Sequence, residues 1–155
     1  MKRLLGLFIL CSAMGSVPLW AKDQAPVTVQ LDVVSTHPTL TVHLRLTNTS
    51  SHDVYLAKSR VGATGEAGNV FEVTTGGQKI RYTGALEQVK PQFPNDYIRL
   101  APNASQEATV VISRYAFLSG EHSYTLTYST DMWDHEAKHR FLLTSNPVTA
   151  AFKAK

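Results

Sequence analysis

Apolar and polar residues alternate strictly along two early stretches of the chain. In the first stretch every second residue from Val27 to Val33 is apolar, and the same holds from Leu40 to Leu46. Successive side chains of a β-strand point to opposite faces of the sheet, so this period of two predicts strands with one buried and one exposed face. The two stretches therefore predict the first two strands of a sheet.

Eight further short segments show a similar pattern and are rich in Val, Thr and Tyr, residues that suit pleated, half-buried surfaces. They are Val54–Leu56, Phe71–Thr74, Ile80–Tyr82, Tyr97–Leu100, Ala108–Ser113, Ser123–Ser129, Phe141–Thr144 and Val148–Phe152. Turn-forming residues such as Gly76-Gly77 and Pro102-Asn103 separate them. No window of a dozen residues carries the apolar stripe of an amphipathic helix, so we predict an all-β fold in one domain.

Strands of this length and spacing favour an antiparallel β-sandwich of the immunoglobulin-like type. Tyr124 lies two residues before Leu126, where such folds often keep a corner tyrosine, and Leu126 then takes the place of a cysteine. We expect the two sheets to pack through apolar residues of the central strands. These residues are Leu44, Leu46, Val110, Ile112, Tyr124 and Leu126.

Residues 1–21 have the composition of a secretory signal peptide. A basic start, Met1-Lys2-Arg3, precedes a short apolar run and a small-residue exit, with cleavage expected after Ala21 or alternatively after Gly15. Cleavage would remove the only cysteine and two of the 15 Lys and Arg residues. The remaining basic residues are nearly balanced in charge by the 12 Asp and Glu residues. We therefore expect a periplasmic or secreted domain of residues 22–155, with no nucleic acid among its partners and no membrane attachment after cleavage.

From Asn69 to Ser129, short strands and turns follow one another in a recognisable order. They are Asn69–Val73, Gly76–Gly84, Asp96–Pro102, Tyr115–Gly120 and Tyr124–Tyr128. This order resembles the N-terminal propeptide domain of deuterolysin-type (aspzincin) zinc metallopeptidases, and the similarity extends from about Val27 to Phe152. In that family the module is not catalytic and precedes the protease domain, which it helps to fold and keeps inactive. The resemblance implies a regulator of such an enzyme, here without the catalytic domain.

The segment His135-Glu136-Ala137-Lys138-His139 matches the His-Glu-x-x-His signature of zinc peptidases. The signature functions on a helix, where both imidazoles share one face, and it needs a third protein ligand. Here it lies between two predicted strands, and no acid or histidine follows His139. We therefore expect a solvated polar loop, without catalytic residues, metal or cofactor, although adventitious metal binding by the two histidines stays an alternative.

The sequence predicts a long, charged loop from Thr130 to Arg140. Tryptophan and arginine are common interface anchors, and methionine adapts to a partner's surface. The alternative is that Trp133 folds back to cover the edge of the sandwich. The candidate partner-binding residues are Asp131, Met132, Trp133, His135, Glu136, Lys138 and Arg140.

Three functions follow from these observations. The first is an exported inhibitor or folding partner of an aspzincin-type metallopeptidase, acting in trans by covering the active-site cleft. Since such enzymes favour lysine beside the scissile bond, Lys138 or the C-terminal Lys153 and Lys155 could enter that pocket. The second is a generic periplasmic or secreted binding or adhesion sandwich. The third and most remote is a small zinc peptidase that uses His135, Glu136 and His139.

Overall fold

The computed structural model describes residues 25–63, 68–84 and 90–154 of the chain. These residues form ten strands: β1 (Val27–Ser35), β2 (Thr41–Asn48), β3 (Val54–Ala57), β4 (Phe71–Thr75), β5 (Gln78–Lys79), β6 (Tyr97–Leu100), β7 (Ser105–Val111), β8 (Gly120–Asp134), β9 (His139–Thr144) and β10 (Val148–Ala154). The predicted signal peptide, its two candidate cleavage sites and Lys155 lie outside the described residues. Within the described ranges, no helix is long and apolar enough to cross a membrane.

The strands pair into two main sheets and a short ribbon. One sheet has the order β1-β2-β7, the other has the order β10-β8-β4-β5 with β9 also paired to β8, and β3 pairs with β6. Every pairing between these strands is antiparallel. The prediction of an all-β fold with antiparallel sheets is confirmed, and the arrangement is consistent with a β-sandwich.

The longest strand, β8, organises the larger sheet. Its first half pairs with β10, where Leu126 lies opposite Val148, and its second half pairs with β9, where Ser129 lies opposite Thr144. Between β9 and β10, the Asn146 side chain makes two hydrogen bonds of 3.0 Å with the backbone of Leu31 in β1. These bonds connect the first strand to the sheet that contains β8.

Apolar side chains from both sheets form one core. The six predicted core residues are all at most 3% exposed, which confirms that part of the prediction. The Tyr124 hydroxyl lies near the edge of this core and accepts a hydrogen bond of 3.0 Å from the Leu118 amide. Burial with a satisfied hydroxyl is the favourable way to place a tyrosine in a core.

The expected long loop from Thr130 to Arg140 is wrong, because both flanking strands continue into it. β8 extends to Asp134, a four-residue turn covers 135–138, and β9 begins at His139. The period of two also persists along β8, with Thr130, Met132 and Asp134 buried and the residues between them exposed. What the sequence suggested as a loop is therefore a β-hairpin with a tight turn.

The predicted strand Ile80–Tyr82 is also only partly correct. The paired residues there are Gln78 and Lys79, which form β5 on the edge of β4. Tyr82 makes an isolated antiparallel bridge with Tyr115 instead of joining a strand. The glycine turn Gly76-Gly77 has positive φ angles at both residues and leads directly into β5, which explains why the pairing begins earlier than expected.

Candidate functional site

The turn between β8 and β9 is held by the carboxylate of Asp134. Its Oδ1 atom accepts hydrogen bonds of 2.9 Å from the backbone amides of Glu136 and Ala137. The Lys138 amide donates to the Asp134 carbonyl at 2.9 Å, and Lys138 closes the turn with a φ of 58°. An aspartate that bonds to the amides two and three residues ahead is a common way to fix a tight turn. We refer to residues 133–140 as the hairpin tip.

A histidine from a distant part of the chain completes the carboxylate's hydrogen bonds. His52 Nε2 lies 2.8 Å from Asp134 Oδ2, and Asp134 is fully buried. The backbone carbonyl of His52 accepts a bond of 2.7 Å from Asn48 Nδ2, which also donates to the Leu100 carbonyl at 2.8 Å. His52 is therefore held in place by buried Asn48, and it anchors the hairpin tip to the segment before β3.

These contacts shift the pKa values of both partners. Burial by itself raises the pKa of Asp134, but the hydrogen bonds from the Ala137 amide, His52 and the Glu136 amide outweigh it and leave the pKa below its ordinary value. The hydrogen bond to Asp134 raises the pKa of His52, although partial burial opposes it. Both shifts favour the state in which the carboxylate is charged and the imidazole is protonated.

The next residue, His135, lies in a cluster of three aromatic rings. Its ring stacks on Phe93 with centroids 4.3 Å apart and an interplanar angle of 22°. Tyr97 and Tyr55 meet it edge-on at 5.0 and 6.0 Å. The Nε2 atom of His135 is buried and has no hydrogen-bond partner among the described residues. Burial, together with the nearby charge of Lys138, lowers the pKa of this imidazole.

The outward face of the hairpin carries large apolar side chains. Trp133 is 42% exposed and lies opposite Arg140, whereas Leu142 is 56% exposed and lies opposite Asp131. Trp133 and Leu142 are thus diagonal neighbours on one face, close enough for an aromatic ring to contact a long side chain. Beyond the turn, Phe93 adds another half-exposed ring, supported from below by His135.

The structure brings together most of the predicted partner-binding residues and separates one of them. Asp131, Trp133, Glu136, Lys138 and Arg140 are exposed on the hairpin or its turn. His135 is turned partly inward, against the aromatic rings. The expectation of a surface Met132 is corrected, since alternation places its side chain in the core at 5% exposure.

The His-Glu-x-x-His motif occupies the turn of the hairpin instead of a helix. His135 is the first residue of the turn and His139 the first residue of β9, so the motif lacks the helical spacing that puts two imidazoles on one face. His135 is also packed against Phe93, Tyr97 and Tyr55, none of which is a usual ligand of a catalytic zinc. In the described parts of the chain, no three His, Cys, Asp or Glu side chains are grouped to hold a metal ion. The residues present here do not fit a catalytic zinc.

Sequence reasoning missed several residues of this site, above all Asp134, His52 and Phe93. His52 lies in a polar stretch that gives no sign of a contact with a carboxylate 82 positions later in the chain. Phe93 lies in a proline-flanked turn, where nothing in the local pattern indicates contact with residue 135. The only available signal was the aromatic density of Phe93 and Tyr97 within five residues.

Comparison with known proteins adds no assignment to this description. No protein-family model matches the chain, and no curated protein matches it.

Proposed function

We propose that this chain is an exported, non-catalytic partner of an aspzincin-type zinc metallopeptidase, which it inhibits or helps to fold in trans. The proposal combines the resemblance of residues 27–152 to the propeptide module with the form of the hairpin tip. In this view the chain covers the active-site cleft of the enzyme with that tip. The finer fold assignment, an immunoglobulin-like sandwich, belongs to the same proposal and is supported by the bond from the Leu118 amide to the buried Tyr124 hydroxyl.

The observation that carries the proposal is an exposed aromatic side chain, Trp133, beside a turn that is held by hydrogen bonds. Trp133 presents a large rigid surface at 42% exposure. The next residue, Asp134, fixes the turn through hydrogen bonds from two turn amides and is itself bonded to His52. A surface that is already ordered loses little conformational entropy on binding, which favours affinity. Tryptophan is also among the residues that most often dominate interface energies.

In this proposal, Lys138 makes the hairpin tip specific for this class of enzyme. The resembled peptidases favour lysine beside the scissile bond, and Lys138 is exposed as the last residue of the turn. A lysine held in a turn with positive φ can enter a specificity pocket as a substrate mimic without presenting an extended, cleavable backbone. The pair Trp133 and Lys138 would then supply apolar area and charge, respectively.

The direct test is inhibition of a lysine-preferring aspzincin peptidase by the chain from residue 22 onward. We expect saturable inhibition with a fixed stoichiometry, and a loss of at least about 2 kcal/mol of binding free energy for Trp133→Ala. Val34→Ala is the matched control, because Val34 is 60% exposed on β1 and outside the hairpin. Both variants should keep the thermal melt of the parent. A chain that neither inhibits the enzyme nor rescues refolding of its catalytic domain would refute the proposal.

A generic secreted binding sandwich is the second candidate, and one surface groove favours it. The groove has a volume of about 650 Å³, and its lining includes the aromatic residues Phe71, Tyr82 and Tyr115 and the basic residues Lys79 and Arg81. Aromatic rings with a few polar groups are typical of small-ligand sites of this size. Screening oligosaccharides and short peptides for chemical-shift changes at Tyr82 tests this candidate separately from inhibition.

A further inference from the structure

Two histidines help to hold the hairpin tip: His52 contacts it from the segment before β3, and His135 belongs to it. Protonation is expected to affect them in opposite ways. His52 faces the buried Asp134 carboxylate at 2.8 Å. The other charged groups near His52 are Glu136 of the turn and Asp53, and Asp53 is paired with Arg99 of β6 at 2.6 Å. Every acidic group around His52 favours its protonated form, so a proton on this ring strengthens its bond to the tip.

His135 has the opposite surroundings. Phe93 covers one face of its ring, and Tyr55 of β3 and Tyr97 of β6 meet it edge-on. The charged groups that act on it are Lys138, which opposes protonation, and Asp134, which favours it. Its buried Nε2 atom has no acceptor among the described residues, so a proton added there would introduce a charged donor without a partner.

We propose that the hairpin tip is a proton-responsive element, in which protonation of His52 tightens the tip and protonation of His135 releases it together with Phe93. This inference rests on the proposed function only in identifying the tip as the contact surface. The hydrogen-bonded form of the tip is then most stable within a narrow range of pH. More acidic conditions would loosen the tip by a local event, without unfolding the sandwich.

The direction of each effect follows from the shifted pKa values. Because the pKa of His52 is raised above its ordinary 6.5, its stabilisation is complete below pH 6.5 and is lost as the pH rises through the folded value. Because the pKa of His135 is lowered from 6.5, the packing of its neutral ring is complete above pH 6.5 and is lost as the pH falls towards the folded value. The tip should therefore be most stable near pH 6.5.

Amide hydrogen exchange measures this opening directly in the full chain. The reporters are the amides of Glu136 and Ala137, which bond to Asp134 and are freed when the tip opens. After correction for intrinsic exchange, we expect the opening constant to be smallest near pH 6.5 and to rise both towards pH 5 and towards pH 8. His135→Phe should abolish the acidic rise, and His52→Gln should abolish the alkaline rise.

A flat profile in the parent chain, or an acidic rise that persists in His135→Phe, would overturn the inference. If either variant fails to fold, ring titration of the parent chain by NMR decides instead. The His52 ring should then titrate above, and the His135 ring below, the histidines of the urea-unfolded chain, and two coincident titrations refute the device. Hydrogen exchange and ring titration need no protease, so they test the proton response independently of the proposed function. A lack of inhibition at every pH would refute the proposed function and leave the proton response standing.

Discussion

Replacing Asp134 by alanine is the most direct test of how the hairpin tip is held. The carboxylate is fully buried and accepts three hydrogen bonds, from His52 Nε2 and from the amides of Glu136 and Ala137. The variant removes all three acceptor contacts and leaves the imidazole of His52 facing a small cavity. When an acceptor is removed and its donors stay buried, the loss of stability exceeds the net contribution of the hydrogen bond, because the donors are left without a partner.

The size of the effect follows from the exposure of the three donors. A hydrogen bond to a charged group contributes about 1.5–3 kcal/mol, and the 25% exposure of the His52 side chain argues for the lower end. Glu136 and Ala137 are exposed residues whose amides can bond to water, so each of those bonds contributes only about 0.5 kcal/mol. We therefore expect Asp134→Ala to lower the free energy of unfolding by about 2–3 kcal/mol.

Urea unfolding monitored by circular dichroism measures this difference, with the slope of the transition checked for constancy. Asp131→Ala is the matched control, because Asp131 lies on the same strand but faces solvent, and it should change stability by less than about 0.5 kcal/mol. Asp134→Asn keeps an oxygen acceptor for the turn amides and should recover part of the loss. A cost below about 1 kcal/mol for Asp134→Ala, or an equal cost for Asp131→Ala, would refute the bracing role.

Three further predictions concern the core, acid stability and chemistry of this chain. Leu126→Ala should cost about 2–5 kcal/mol in urea unfolding because it leaves a cavity in the core, whereas Leu142→Ala on the exposed face should cost little; equal costs would contradict the assignment. Because the pKa of Asp134 is lowered, its contribution is present above the ordinary value of 3.8 and is lost as the pH falls through the folded value, so Asp134→Asn should flatten the acid limb of the stability profile. Elemental analysis of tag-free protein should find no stoichiometric zinc, and stoichiometric zinc with caseinolysis that Glu136→Gln abolishes would overturn this prediction.

Local patterning predicted the strands well, because an antiparallel sheet with one wet face imposes a period of two on its residues. Val27 to Val33 and Leu40 to Leu46 therefore indicated β1 and β2 within one or two residues. The pattern failed along 130–134, where the buried positions are a threonine, a methionine and an aspartate. In the sequence, a buried aspartate cannot be distinguished from an exposed aspartate of a loop. The burial of Asp134 is favourable only because its distant partner, His52, is bonded to it.

The candidate site was less predictable than the fold, since its key contacts join distant segments. The residue type of Trp133 indicates an interface anchor, although its sequence leaves open that it folds back onto the sandwich, and Lys138 is singled out by the lysine preference of the resembled family. The pairing of His52 with Asp134, and the packing of Phe93 on His135, depend on how β3 and β6 approach the hairpin. One sequence without aligned relatives carries no signal for such contacts.

The link between Asn146 and Leu31 has a consequence for how this domain would resist mechanical force. Val29 and Ser145 form a parallel bridge, so β1 runs alongside the chain that leads into β10. A pull that separates the first strand from the last slides these segments along each other and strains the bridge and both 3.0 Å bonds at once, instead of opening them one after another. Forced unfolding is governed by the unfolding rate, so Asn146→Ala should lower the rupture force in single-molecule stretching.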